Sequence, residues 1–368
     1  MLPILLTIAN IVIVVISLVV LVTFHELGHF LLAKKFGVKV EEFGIGIPPR
    51  IYGKKIGETV YSLNLIPLGA FVKLYGEEEK IENQRSFSGK PVWQRALIVL
   101  GGVIAFWIIA AIIMAFVAGI WGLPMQIEDA DSGFKNPEIE IVQVAKGSPA
   151  EESGLRTWDF IKKAKAENDE ITTDKVQEFV NFIDAHRGQE LTLTIKRGKQ
   201  ILNFTLVPRV NPPEKEGPIG IQPARIYFKV YPWNQAILQG FIVTKNITQQ
   251  IVSTFSELVS KLIRRVPIPK GEVEVGSIIA IGQFGVYALE SGINNFLVFL
   301  ASITIFLALF NILPIPALDG GKLLFLIIEE IRGKPIDQKI EEKVTAFFFV
   351  LIMTLGVLVI IRDIIIRF

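Results

Sequence analysis

The chain has 368 residues, a length that allows two or three domains. Hydrophobic residues make up 51% of it and charged residues 20%, which favours a membrane protein, and the net charge of +2 gives no sign of a nucleic-acid partner. Because the chain has no cysteine, disulfides and thiolate metal sites are excluded.

Four segments are apolar over the roughly 20 residues that a helix needs to cross a bilayer. They are Ile4–Phe24 (with the helix continuing to Phe36), Ala96–Leu123, Ile293–Leu318 and Thr345–Ile361. The uncharged stretch Gly276–Leu289 is too short to span, and we expect it to be re-entrant or packed against the other helices. The first span has no basic residue before it and no A-x-A-like site after it, so it is not typical of a secretory signal.

The first span ends in the motif His25-Glu26-Leu27-Gly28-His29. A helix places residues i and i+4 on one face, so both histidines can bind one zinc ion, with Glu26 beside it as a general base. The alternative is a helix end with two interfacial histidines. Two of the three histidines of the chain fall in this motif, which favours the metal site. The third, His186, ends a predicted helix and is expected to be a surface residue.

A strand pattern follows at Glu58–Leu65, where apolar and polar side chains alternate, and Pro67–Leu74 continues it. This pattern predicts a β-hairpin within 58–74, close to the metal-binding helix. The hairpin is either a small structural sheet or an exposed edge that holds an unwound peptide by strand addition.

The central region, about 129–265, has the composition of a soluble domain. Its first part alternates short strands with one helix at Thr173–His186, and strands at 191–195 and 201–206 form a second hairpin. Asn234–Arg265 has apolar residues at helical spacing and an uncharged polar opposite face. This segment predicts an amphipathic helix that lies on the membrane or docks on the bundle.

A zinc site with two histidines needs a third protein ligand. Asp319 is the preferred candidate, because a carboxylate at the end of the third span is costly unless it is paired. Glu41 and Glu42 are the rival ligands in a polar loop. Asn311 could orient a substrate carbonyl or oxyanion, or it could form a hydrogen bond between helices.

The positions of the basic residues predict the topology. Lysines and arginines cluster between the first two spans and again between the last two. Both of these loops are therefore expected in the cytoplasm, with the termini and the central region outside.

At these residues the chain resembles the site-2 protease family, and within it the bacterial RseP-type intramembrane metalloproteases. The resemblance rests on His25–His29, on Pro67-Leu68-Gly69 with Val72-Lys73, on Arg85-Ser86-Phe87, and on the pattern Asn311-x-x-Pro-x-Pro-x-Leu-Asp-Gly. It implies zinc held by His25, His29 and Asp319, with Glu26 activating water and Asn311 contacting substrate. It also implies that the hairpin clamps an extended substrate strand through Tyr61, Leu63, Asn64, Pro67 and Gly69.

The central region resembles a PDZ domain. Gly147-Ser-Pro-Ala-Glu-Glu-Ser-Gly-Leu155 matches the strand-to-helix segment of that family, although Trp158 replaces the usual glycine before Asp159. The loop at Gly217, Ile219, Gly220 and Ile221 resembles the one that receives a peptide C-terminus. Its expected role is a size filter or a docking site. A second departure lies in span two, where Val103 and Phe106 replace the proline and asparagine of relatives.

The sequence therefore predicts an α-helical polytopic membrane protein with four transmembrane helices, an inserted extracytoplasmic α+β PDZ-like domain and a small membrane-associated β-hairpin. The expected parts are a protease core at 1–124 and 291–368, the PDZ-like domain at 125–225, and an amphipathic helix with a re-entrant linker at 226–290. The predicted function is zinc-dependent cleavage of single-span membrane proteins, such as anti-sigma factors after a first cut or remnant signal peptides, in a bacterial inner membrane. The alternatives are a non-catalytic scaffold that binds peptide C-termini, and a metal transporter, which the scarcity of polar residues in the spans argues against.

Overall fold

The computed structural model describes residues 2–77, 79, 81–213, 216–266 and 277–367. Its helices are α1 (Leu2–Lys35), α2 (Val92–Ile120), α3 (Pro149–Ser153), α4 (Val176–Ala185), α5 (Trp233–Ile263), α6 (Ile278–Ser291), α7 (Ile293–Asn311), α8 (Asp319–Arg332) and α9 (Gln338–Arg367). Its strands are β1 (Val40–Ile56), β2 (Thr59–Leu74), β3 (Leu123–Gln126), β4 (Glu138–Val144), β5 (Phe160–Lys165), β6 (Glu170–Ile171), β7 (Leu191–Arg197), β8 (Gln200–Leu206) and β9 (Ile221–Lys229). Part of the predicted 226–290 linker, residues 267–276, lies outside the described residues.

Four helices, α1, α2, α7 and α9, are long and apolar enough to cross a membrane. The third is shorter than the predicted span, because α7 ends at Asn311 and a loop with Pro314 and Pro316 follows. Proline lacks the N–H that would continue a helix, and it restricts the residue before it to extended conformations. The chain then restarts as α8 at Asp319, so the candidate ligand stands at a helix start.

The α2 helix is the centre of the membrane core, and it packs against α1, α5 and α7. Its contact with α1 is backbone to backbone: a Cβ atom built on Gly28 would lie 2.6 Å from the carbonyl carbon of Gly101. Small residues let transmembrane helices approach this closely, since lipid supplies no hydrophobic driving force between them. Glycine at both positions therefore brings α2 directly against the helix that carries the histidines.

The two helices before α7 complete the core. The amphipathic segment forms α5, which packs along α2 and α7, and a Cβ on Gly240 would meet Ala115 Cβ at 2.9 Å. The short helix α6 packs against α1 and α7. Both predicted alternatives for these segments included packing against the bundle, and the structure shows that packing.

The hairpin is larger than the sequence predicts. Residues 59–74 form the single strand β2, and its partner is β1, which begins at Val40. The two long strands bend so that residues 42–45 lie between residues 60–63 and residues 70–73. The prediction of a hairpin within 58–74 is therefore wrong in its boundaries, because Pro67-Leu68-Gly69 was interpreted as the turn. Glu41 and Glu42 lie in β1 and not in a polar loop.

The central region forms a seven-stranded sheet with the order β3-β9-β4-β5-β7-β8, and β6 pairs with β5. Its core includes fully buried Ile139, Ile141, Leu191, Leu193 and Ile195, which pack against α4. The predicted helix at Thr173–His186 is α4, and the predicted second hairpin is β7 with β8. The sheet extends from residue 123 to residue 229, slightly beyond the predicted domain.

This domain rests on α6. The Arg156 guanidinium forms an ion pair with Glu290 at 2.9 Å and stacks 4.0 Å above the Tyr287 ring. Beside it, the Trp158 ring lies 5.0 Å from the Phe284 ring. Trp158 has φ of 70°, a left-handed conformation that a non-glycine residue adopts at a cost of about 1–2 kcal/mol. The residue that replaces the usual glycine of the motif thus forms the contact with the membrane core.

Candidate metal centre

The histidines lie on the inner face of α1. The i, i+4 spacing places both rings on one side of the helix, with the ring centroids 4.7 Å apart. His25 is 6% exposed and His29 is 7% exposed, so both rings are removed from solvent. Glu26, between them in sequence, is only partly buried and interacts electrostatically with His25, His29 and Asp319.

The structure brings Asp319 to these two histidines across 290 residues of chain. Its Oδ2 atom lies 3.1 Å from His25 Nε2 and 3.4 Å from His29 Nε2, and the two Nε2 atoms are 3.2 Å apart. Two ligands at 2.0–2.1 Å from a tetrahedral zinc ion should lie about 3.3 Å from each other. The three observed separations therefore form one face of such a tetrahedron.

The protonation of His29 shows why a cation fits here. Its Nδ1 donates to the carbonyl oxygen of Ile98 at 2.9 Å, so a neutral ring presents the Nε2 lone pair to the cluster. That lone pair faces Asp319 Oδ2, a buried oxygen without a hydrogen-bond partner among the described residues. A carboxylate oxygen and an imidazole lone pair repel each other in a buried site unless a cation lies between them. The residues thus fit zinc, with a fourth position for water.

The α2 helix shapes the site through its backbone and one ring. Gly102 passes so close that a Cβ there would lie 2.5 Å from His29 Nε2 and 2.6 Å from His25 Nδ1. The Phe106 ring, in the place where relatives have asparagine, packs against the His25 ring with centroids 4.5 Å apart. His25 Nδ1 is consequently buried with no hydrogen-bond partner among the described residues.

The predicted substrate residues of the hairpin lie on opposite faces of β2. Tyr61 is 37% exposed and Leu63 is 50% exposed, whereas Asn64 is buried and donates from Nδ2 to the carbonyls of Ile45 and Gly46. Pro67 is exposed and Gly69 has φ of 76° with open space around it. These positions are listed at the end of this sentence because they share an outward orientation: Tyr61, Leu63, Pro67 and Gly69. The apolar face of the strand therefore points outward and the polar face inward, the reverse of a soluble hairpin.

Two contacts hold the hairpin on α1 next to the motif. Phe30, adjacent to His29, packs its ring 5.5 Å from Phe43. At the turn, Lys34 donates to Glu58 at 2.7 Å, and Arg85 donates to the same carboxylate. The hydrogen bonds from Lys34 and Arg85 lower the pKa of Glu58, so the carboxylate stays ionised.

The remaining candidates lie apart from the cluster. Asn311 is the last residue of α7 and is half-buried. Glu41 contacts Lys39 at 3.7 Å, and Glu42 binds Arg50 at 2.5 Å. Among the described residues, His25, His29 and Asp319 form the group that could hold a metal ion, so neither rival glutamate belongs to it. His186 accompanies α4, where its Nδ1 lies 2.8 Å from the Phe182 carbonyl oxygen.

The predicted peptide-binding loop precedes β9. Ile219 is buried in the core of the domain, Gly217 is exposed, and Ile221 is the first residue of the strand. Gly220 has φ of 75°, and its N–H already donates to the Gly217 carbonyl at 3.0 Å. The loop therefore has a compact fold of its own.

The edge of β9 beside this loop carries another strand of the same chain. β3 pairs with it from Leu123 opposite Lys229 to Gln126 opposite Ile226, and Ile127 N–H donates to the Arg225 carbonyl at 3.0 Å. Towards the loop, the next residue of the strand on that edge is a proline without an N–H. Residues 123–127 thus occupy most of the edge where a peptide would add.

Comparison with known proteins agrees with the geometry. The profile of peptidase family M50 matches residues 13–355. A protein of Clostridium perfringens named as a zinc metalloprotease is 34% identical over 349 residues, 94% of this chain and 95% of its own. The regulator of sigma-W protease RasP of Bacillus subtilis is 28% identical over 435 residues, covering 94% and 95%. The protease RseP of Yersinia pestis is 26% identical over 448 residues, covering 93% and 96%.

These matches define the class: a zinc metalloendopeptidase built into a multi-pass bacterial inner-membrane protein. The chain belongs to peptidase family M50, the site-2 proteases. Its cofactor is zinc.

Proposed function

We propose that this protease cleaves a peptide bond within or beside the transmembrane helix of single-span membrane proteins, with anti-sigma factors after a first cut and remnant signal peptides as the substrate types. The observation that carries the proposal is the triangle of His25 Nε2, His29 Nε2 and Asp319 Oδ2, with edges of 3.1–3.4 Å, at the end of a membrane-spanning helix.

The chemistry divides between the ion and the side chains. Zinc, when bound, lowers the pKa of a coordinated water to about 7 and polarises the scissile carbonyl. Glu26 accepts the proton of the attacking water and returns it to the leaving amine. Asn311, at the end of α7, donates its side-chain amide to the substrate. His25, His29 and Asp319 hold the ion.

A substrate helix must unwind before it is cut, because the carbonyls of a helix are hydrogen-bonded and shielded. The hairpin offers a place for the unwound strand. In the described part of the chain, residues 70–74 pair with β1 on one side and carry no strand on the other. This free edge can bind an extended peptide by backbone hydrogen bonds, while Tyr61 and Leu63 provide an outward apolar surface.

The central domain, which we interpret as PDZ-like, acts as a size filter rather than as a reader of peptide C-termini. Two observations support this role: β3 occupies the edge of β9, and Arg156 and Trp158 fasten the domain to α6. The same occupied edge counts against a non-catalytic scaffold. The basic residues of the loops place the metal site near the cytoplasmic side and this domain outside.

The decisive experiment compares wild-type protein with Glu26→Gln on a membrane-anchored reporter in vesicles. Glu26→Gln should retain zinc and lose cleavage by at least about 100-fold, in the range of general-base catalysis. Glu41→Gln is the matched control: it makes the same change in β1, outside the metal cluster, and should cleave normally.

Equal cleavage by wild type and Glu26→Gln would overturn the mechanism. Zinc-free wild-type protein with full peptide binding would favour the scaffold instead. Substrate identity is tested by trapping Glu26→Gln with its bound membrane partners, since an inactive enzyme retains what it would cut.

A further inference from the structure

The Asp319 side of the metal site depends on how α8 is held. Asp319, Lys322, Leu326 and Glu329 recur at intervals of three to four residues, so they share one face of α8. Asp319 is the metal-site residue of this face. The other three are available to fix the helix against its neighbours, and the structure shows what each of them contacts.

Two ion pairs connect this face to distant parts of the chain. Arg95 of α2 binds Glu329 through two hydrogen bonds of 3.0 and 2.5 Å, with side chains 11% and 17% exposed. Lys322, one turn after Asp319, binds Glu77 just after β2. A bidentate pair of arginine and carboxylate fixes orientation as well as distance.

Apolar packing at this contact is incomplete. Leu326 is 6% exposed and packs in one cluster with Val99 and Phe87. Beside it, both ion pairs line a cavity of about 130 Å³. Where the interface is not filled, the polar bridges carry the alignment of α8 with α2 and with the hairpin.

The α2 helix thereby serves both halves of the site. The Ile98 carbonyl orients His29, and Arg95, three residues earlier on the same face of α2, holds Glu329 of α8. Glu329 lies ten residues beyond Asp319, about 15 Å along the helix axis. One fixed point near Asp319 and one far from it determine the direction of α8.

We propose that Arg95–Glu329 and Lys322–Glu77 are positioning pairs that place the Asp319 carboxylate against His25 and His29. This proposal rests on the proposed zinc site. Neither pair touches the reacting atoms. Breaking a pair should therefore lower zinc affinity through the third ligand, and restoring the pair with exchanged charges should recover it.

The experiment measures zinc affinity of the full-length detergent-solubilised protein by competition with a chromophoric chelator. Glu329→Gln and Arg95→Gln should each weaken zinc binding by about 10–100-fold, the range for groups that orient metal ligands. The exchange Arg95→Glu with Glu329→Arg should return affinity to near the wild-type value. Arg209→Gln, which breaks the exposed Arg209–Glu216 pair of the central domain, is the matched control and should change nothing.

A purely structural role predicts a different pattern: a lower unfolding midpoint of the zinc-free protein with unchanged zinc affinity. That result, or an exchange variant as weak as the single variants, would overturn the proposal. If the Arg95 variants do not fold, Lys322→Gln and Glu77→Gln give the same test at the more exposed pair. Wild-type protein without zinc affinity would instead overturn the proposed function, and this proposal with it.

Discussion

Substitution of Gly102 by alanine tests the metal site with a single methyl group. The added Cβ would lie 2.5 Å from His29 Nε2 and 2.6 Å from His25 Nδ1, whereas ordinary contacts are 3.4–4 Å. The rings or the helix must therefore move by about 1 Å, while metal–ligand distances tolerate only about 0.2 Å. We expect overpacking to cost about 1–3 kcal/mol of stability. We also expect a loss of zinc affinity of about 100-fold, equivalent to about 2.7 kcal/mol.

The assay is chelator competition on purified protein, with reporter cleavage measured in parallel. Gly282→Ala in α6 is the matched control, because a Cβ there has open space and alanine favours the helix. It should bind zinc as wild type does. Gly102→Ala with wild-type zinc affinity would refute the assignment of His25 and His29 as ligands.

Two predictions concern the central domain. Burial, with Glu138 nearby, raises the pKa of Glu140 from 4.5 to about 7. The folded state thus binds the proton more tightly, so the stability of the domain is greatest below pH 4.5 and falls as pH rises to about 7. Glu140→Gln should remove this dependence and stabilise the domain above pH 7 by up to about 3 kcal/mol, measured by denaturant unfolding at several pH values; equal slopes in both proteins would contradict it. Trp158→Gly should relieve the left-handed strain without loss of domain stability, yet broaden the spin-label distance distribution between the domain and α6; a narrow distribution would exclude Trp158 as the contact that fixes the domain.

The sequence predicted the parts of the molecule that side chains alone determine. Continuous apolar runs specify membrane helices by length, and the structure has four such helices. The association of His25 and His29 with Asp319 follows from chemistry, because a carboxylate at membrane depth needs a compensating charge. The structure brings the three together, although the role of each stays a prediction until zinc binding is measured.

The sequence could not predict the parts that depend on backbone and on pairing. β1 contains Gly44, Gly46, Pro48 and Pro49, which disfavour strands, and it forms because residues 42–45 pair on both sides. Gly69 continues β2 with a positive φ where a turn was predicted. The carbonyl of Ile98 leaves no signature in a side-chain pattern, whereas two adjacent glycines inside the second span could have indicated a close helix contact.

The pairing of β3 with β9 has a consequence for how this protein can vary. β3 follows α2 directly and β9 leads into α5, so the chain enters and leaves the central domain through two adjacent, hydrogen-bonded strands. A segment attached by such a narrow stem behaves as a cassette. It can be lengthened, duplicated or excised, and a short loop from residue 126 to residue 226 would close the gap without moving the catalytic helices.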